Sequence, residues 1–187
     1  MELLLNYLLL FDGLNEQQIT LVKQKTKLIQ LQPGDYLAEA GIIFGKLAFV
    51  GNGLLRYNYY NSKAENFTIS LIADGNIIVG ANHVIPNFPP SDYLQAITKC
   101  DLYVIDAEDM EIIAATILNW ERLVKKISQK SVCDKKERVL PVINDNPVNK
   151  VAAAYLNKFD NVKKYLSTDQ MTTYLQPATT ELSSNQG

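Results

Sequence analysis

Short runs rich in Ile, Leu, Val, Tyr and Phe, separated by Gly, Pro and Asn, fill the chain up to Asp106. Apolar runs of this length bounded by turn residues predict strands. They read "KLIQL", then "YLAEA" after the turn at Pro33–Asp35, "KLAFVG", "LLRYNYY", "FTISLIA", "YLQAITK" and "DLYVID". Asn61–Glu65 suits a hairpin loop between the fourth and fifth of these. About eight strands at such spacing predict an antiparallel jelly roll or barrel rather than a parallel sheet. Helices come first. "MELLLNYLLLF" has Glu2 in place of a basic start and no small-residue cleavage site, so it reads as a buried helix and not a signal peptide. In "LNEQQITLVKQK", Asn15 precedes Gln18 by three residues, the spacing of a capping box.

At Asp106 the period changes. The stretch from Asp106 opens with an Asp cap and an acidic first turn, and the pattern runs as one helix until Pro141 stops it. Ile113, Ile117, Trp120, Val124 and Ile127 recur at alternating spacings of four and three, which makes a narrow apolar seam. Such a seam packs either on its own barrel or on a second copy of the same helix, and periodicity leaves both open. Lys125, Lys126, Lys130 and Lys135 keep the other faces wet. "INDNP" (Ile143–Pro147) reads as a linker, and "VNKVAAAYLNKF" as a compact helix offering Val151, Ala154, Tyr155 and Leu156 for burial. Two short helices follow, one capped by Ser167 or Thr168 and one opening near Pro177, a helix-turn-helix candidate. The fold class is therefore α+β, with a sensor-like barrel over 1–106, a connecting or dimerisation helix over 107–141 and a helical domain over 142–187.

Charge adds one feature. The formal net charge is −2. Most of the excess acid lies before Trp120 and most of the excess base after it, so the C-terminal part is the one suited to a polyanion. Two cysteines, Cys100 in an apolar run and Cys133 on a polar helix, cannot build a disulfide framework or hold an iron–sulfur cluster, and a reduced cytoplasmic setting follows. His83 is the only histidine and reads as an exposed loop residue. With no nucleophile–base pair and no metal-ligand cluster, neither an enzyme nor a cofactor is indicated. No apolar run reaches the length of a membrane span.

In order, these parts resemble the Crp/Fnr family of bacterial regulators. "FDGLNEQQITLV" is similar to the family's opening helix. "LQPGDYLAEAG" resembles its G-x-x-L-x-x-x-G strand pair through Gly34, Leu37 and Gly41, and "FVGNGLLRYNYY" its G-x-x-R/K segment through Gly53 and Arg56. "KKYLSTDQMTTYLQPATTELSS" is similar to its helix-turn-helix. The resemblance implies a cyclic-nucleotide-binding-like barrel, a dimer helix, and DNA recognition by a homodimer.

The departures from the family pattern are as informative. In "DGNIIVGANHVIPNFPPSDYLQA" the turn glycines persist as Gly75 and Gly80. The position of the family's ribose-binding Glu falls on Ala81 and that of its phosphate-binding Arg on Pro90; Ser91 keeps the Ser position and Asp92 follows it. A buried phosphate without a cation costs roughly several kcal/mol, so an effector other than cyclic AMP or GMP is expected. Asn82, His83, Ser91, Asp92 and Tyr93 offer neutral and acidic groups to an uncharged or cationic small molecule; the alternative is a solvated loop on a structural barrel. In the reading helix, Ser167–Gly187 carries no Lys or Arg. Duplex DNA contact then falls to Lys163 and Lys164 on the backbone and to Thr179, Thr180, Ser183, Ser184 and Gln186 on base edges, giving weak to moderate, salt-sensitive binding. The competing reading is a ligand-sensing or protein-interaction dimer without DNA recognition.

Overall fold

A computed structural model describes residues 1–42, 44–80, 92–140 and 147–176. Two helices, α1 (Glu2–Leu9) and α2 (Glu16–Lys25), lead into eight strands. These are β1 (Lys27–Leu31), β2 (Tyr36–Ala38), β3 (Leu47–Asn52), β4 (Leu54–Tyr60), β5 (Asn66–Ala73), β6 (Ile77–Val79), β7 (Tyr93–Ala96) and β8 (Cys100–Ile105). They pair antiparallel into two four-stranded sheets of order β1-β8-β3-β6 and β2-β7-β4-β5. The expected jelly roll is present. Its interior, between the sheets, holds Ala48, Val50, Leu55, Ile72, Leu94 and Leu102 among others.

Local signals set the ends of several elements. Asn15 accepts the N–H of Gln18 at 2.9 Å while the Gln18 side chain accepts that of Asn15, so α2 opens on the expected capping box. The loop after β4 closes as a hairpin through Asn61, whose Oδ1 accepts the N–H groups of Lys63 and Glu65. Gly34, Gly41 and Gly53, the glycines behind the family resemblance, all have positive φ, which a side chain would strain. Arg56 lies on β4 and binds across the sheet to Gln95 and Thr68.

The expected single helix over 107–141 is two. α3 (Ala107–Thr116) ends where Ile117 turns extended, and α4 (Trp120–Glu137) begins three residues later. β-branched Ile112, Ile113, Thr116 and Ile117 crowd the last turn of α3 and weaken its helix preference. The break lets Ile117 and Trp120 both turn inward while Leu118 is left 99% exposed. Asp106 occupies the N-cap position of α3 without making the cap bond. Its carboxylate instead meets Lys27 at 2.7 Å and Lys46 at 3.0 Å. α4 stops short of Pro141: the residue before a proline avoids helical backbone, and Val139 and Leu140 run beside β5, with the Leu140 N–H donating to the Ile69 carbonyl at 2.8 Å.

Three further helices follow: α5 (Val148–Lys158), α6 (Asp160–Lys163) and α7 (Thr168–Leu175). Ser167 and Gln170 form the capping box of α7. Ala152, Tyr155 and Leu156 of α5 are buried, whereas Ala154, expected inside, faces solvent. With Phe159, Val162, Leu166 and Met171 they share one apolar cluster with Leu54, Leu71 and Ala73 of the sheet. The helical part is thus seated on β4 and β5.

Candidate effector cleft and nucleic-acid interface

The seam residues decide which way α4 faces. Ile113, Ile117, Trp120 and Ile127 are buried, and Val124 packs against them. All five join Leu4, Leu5, Leu8, Val22, Leu47 and Phe49 in one cluster within the chain. The dimer-seam expectation for these residues is therefore corrected: their apolar surface is already covered by α1, α2 and the barrel. The same face of α4 turns polar in its last turns, where Ser131, Asp134, Lys135 and Arg138 continue the phase of Ile127.

That polar end closes a cleft against the barrel. The cleft holds about 30 Å³ and is lined by Tyr57 of β4, Ser70 of β5, and Ser131, Asp134, Lys135 and Arg138 at the end of α4. The Lys135 ammonium lies 3.5 Å from the Asp92 carboxylate and 3.9 Å above the Tyr57 ring. Burial first, and the Asp92 charge second, push the Tyr57 phenol up to about 12, so it stays neutral. Ser131 Oγ donates to the Ile77 carbonyl at 3.1 Å, and Asp134 is held by Lys130 one turn earlier. The end of the helix thus brings two cations to the cleft, Lys135, which faces Asp92, and Arg138. Its sequence signal is the switch from Ile127 to Ser131, Lys135 and Arg138 on one helical face, which the strand-by-strand reading passed over.

The loop residues themselves divide. Gly75 sits in the turn between β5 and β6 with φ of 79°. Gly80 lets backbones meet: a Cβ there would lie 1.5 Å from the Phe44 carbonyl oxygen. Both glycines are explained by the path of the chain. Asp92 reaches the cleft, whereas Tyr93 does not; its ring packs against Tyr36 and Tyr60 on the outside of the sheet. Ala81, Asn82, His83 and Ser91 lie outside the described residues. Among the described residues no group of three or more His, Cys, Asp or Glu side chains could hold a metal, and no helix is long and apolar enough to cross a membrane. Cys100 is buried and Cys133 exposed.

At the helical end, Lys163 is exposed. Lys164 is turned back on the barrel, 3.5 Å from the Asp74 carboxylate. Thr179, Thr180, Ser183, Ser184 and Gln186 lie outside the described residues, so of the expected DNA contacts only these two lysines are placed.

The fold is one seen in known regulators. A protein from Eubacterium rectale described as a transcriptional regulator of the Crp/Fnr family matches 91% of this chain and 81% of its own, with a TM-score of 0.64 and 17% identity. The c-di-GMP-responsive global regulator CLP of Xanthomonas campestris matches over 82% and 76%, with a TM-score of 0.59 and 16% identity. The catabolite activator protein of Thermus thermophilus matches 68% of this chain, with a TM-score of 0.55 and 16% identity, and this chain spans 59% of its length. No protein-family model and no curated protein matches the sequence. The chain has a Crp/Fnr-like fold: a jelly roll of the cyclic-nucleotide-binding type followed by a helical C-terminal part.

Proposed function

We propose that the chain is a cytoplasmic transcriptional regulator that binds DNA as a homodimer and responds to an effector other than a cyclic nucleotide. One residue carries the reading. Arg138 lines the cleft with its side chain, and its carbonyl accepts the Tyr155 hydroxyl of α5 at 2.8 Å. A change at the cleft therefore bears directly on the helix that leads into the helix-turn-helix candidate. Against a cyclic nucleotide stand the loop chemistry, with Pro90 where an Arg is needed, and the engagement of Lys135 by Asp92. With the inner seam used up, the dimer would pair through the outward side of α4. On that side Val132 is exposed on α4, and Leu118 just before the helix and Val139 just after it are exposed as well.

Fluorescence anisotropy on duplex DNA from the region upstream of the protein's own gene tests the proposal. Expected is weak binding that fades with salt and is reduced further in Lys163→Glu. Absence of binding at low salt would instead favour a ligand-sensing or protein-interaction dimer, the reading supported by the Lys164–Asp74 pair, which occupies a lysine that DNA contact needs.

A further inference from the structure

We propose that the cleft between α4 and β5 is a binding site for a small monovalent anion of halide size, held by the Arg138 guanidinium and the Ser70 hydroxyl. Two residues that line it each carry a buried polar atom without any hydrogen-bond partner, Arg138 Nη1 and Ser70 Oγ. Ser70 is fully buried in β5. Both groups can donate, one as a cation, so what they lack in common is an acceptor. Unpaired buried donors are rare in folded proteins, and a buried pair on one small cleft marks a missing occupant.

The charges around the cleft select the kind of occupant. Lys135 is matched by Asp92, and Asp134 by Lys130. Tyr57 is a neutral phenol. Arg138 has Asp134 one turn before it on the same helix yet forms no ion pair with it; its guanidinium lies 5.0 Å over the Phe159 ring instead. Among the described residues, that positive charge has no carboxylate in ion-pair contact. A water could accept the two hydrogen bonds but would leave the charge on the buried Nη1 unopposed. A halide accepts both bonds and neutralises it. A volume of about 30 Å³ admits such an ion; a single water needs roughly 10–15 Å³. The ion would tie the last turn of α4 to β5 beside the point where Val139 pairs with Ser70. The site stands on these contacts whether or not the chain binds DNA.

The test is thermal unfolding of the full chain in bromide, chloride or gluconate at one ionic strength. Bromide and chloride are expected to raise Tm saturably by roughly 3–5 °C over gluconate, which is too bulky for the cleft. That halide-specific difference should vanish in Arg138→Met and in Ser70→Ala, the second of which removes one oxygen and leaves the fold intact. Crystals grown in bromide should show an anomalous peak within hydrogen-bond distance of Arg138 and Ser70. Equal Tm values in the three salts, a difference that persists in both variants, or an ordered water without anomalous signal would each overturn the site.

Discussion

The hydroxyl of Tyr165 accepts the backbone N–H of Gly53 at 2.9 Å, joining the last helices to the β3–β4 turn across the length of the chain. The same hydroxyl donates to Asn52 Oδ1 at 3.0 Å. Both ends of this contact belong to elements the apolar cluster of α5, α6 and α7 already brings to the sheet. Tyr165→Phe keeps the ring and removes both bonds. It should cost about 1 kcal/mol, read as a lower denaturation midpoint, and should speed proteolysis between α4 and α5. An unchanged midpoint would mean that the apolar cluster alone seats the helices.

Gly53 itself tolerates no side chain. Its φ is 107°, and an added Cβ would lie 2.6 Å from both Cys100 Sγ and the Lys99 carbonyl oxygen. Gly53→Ala is expected to lose about 2 kcal/mol or more, combining left-handed strain with overlap. Gly13→Ala, where nothing lies within 4 Å of the added atom, is the control and should unfold like the parent in a thermal melt.

The acid limb of stability should depend on Asp106. Hydrogen bonds from Lys27 and Lys46 hold its carboxyl below the usual carboxylate range. A group depressed in the folded state stabilises fully above its unfolded pKa, and the contribution is lost as pH falls through the folded value. Stability measured from pH 6 downward should therefore fall less steeply in Asp106→Asn than in the parent. Asp12, lowered chiefly by its bond to Arg122, predicts the same direction for Asp12→Asn. Parallel acid limbs in parent and variants would refute both assignments.

Association through the outward side of α4 makes a further prediction. Val132 is an apolar residue of α4 left 55% exposed. Across a two-fold axis each such residue approaches its own counterpart. Val132→Glu should therefore set two carboxylates against each other and shift the mass in solution from dimer to monomer, measured by light scattering. Trp120, inside the chain's own core, should leave the mass unchanged when replaced by Phe. A parent already monomeric at high concentration would sink the homodimer.

Much of this molecule is written in short-range signals. Asn15 with Gln18 and Ser167 with Gln170 set helix starts through bonds three residues apart, and Gly34, Gly41 and Gly53 set turns through their own backbone freedom, so residue order alone determined them. The hairpin at Asn61–Glu65 followed for the same reason, whereas the runs 36–40 and 93–99 pair only over Tyr36–Ala38 and Tyr93–Ala96, and β6 (Ile77–Val79) matches none of the expected runs. The direction α4 faces could not be read this way. An apolar seam records that something covers it, and only the tertiary packing decided that α1, α2 and the barrel do so, breaking the helix at Ile117–Asn119. The meeting of Lys135 with Asp92, and of Lys164 with Asp74, likewise joins residues far apart in sequence. Ion pairs between elements leave no periodic trace along a chain, because the partners are chosen by how the elements stack and not by which residues stand next to them.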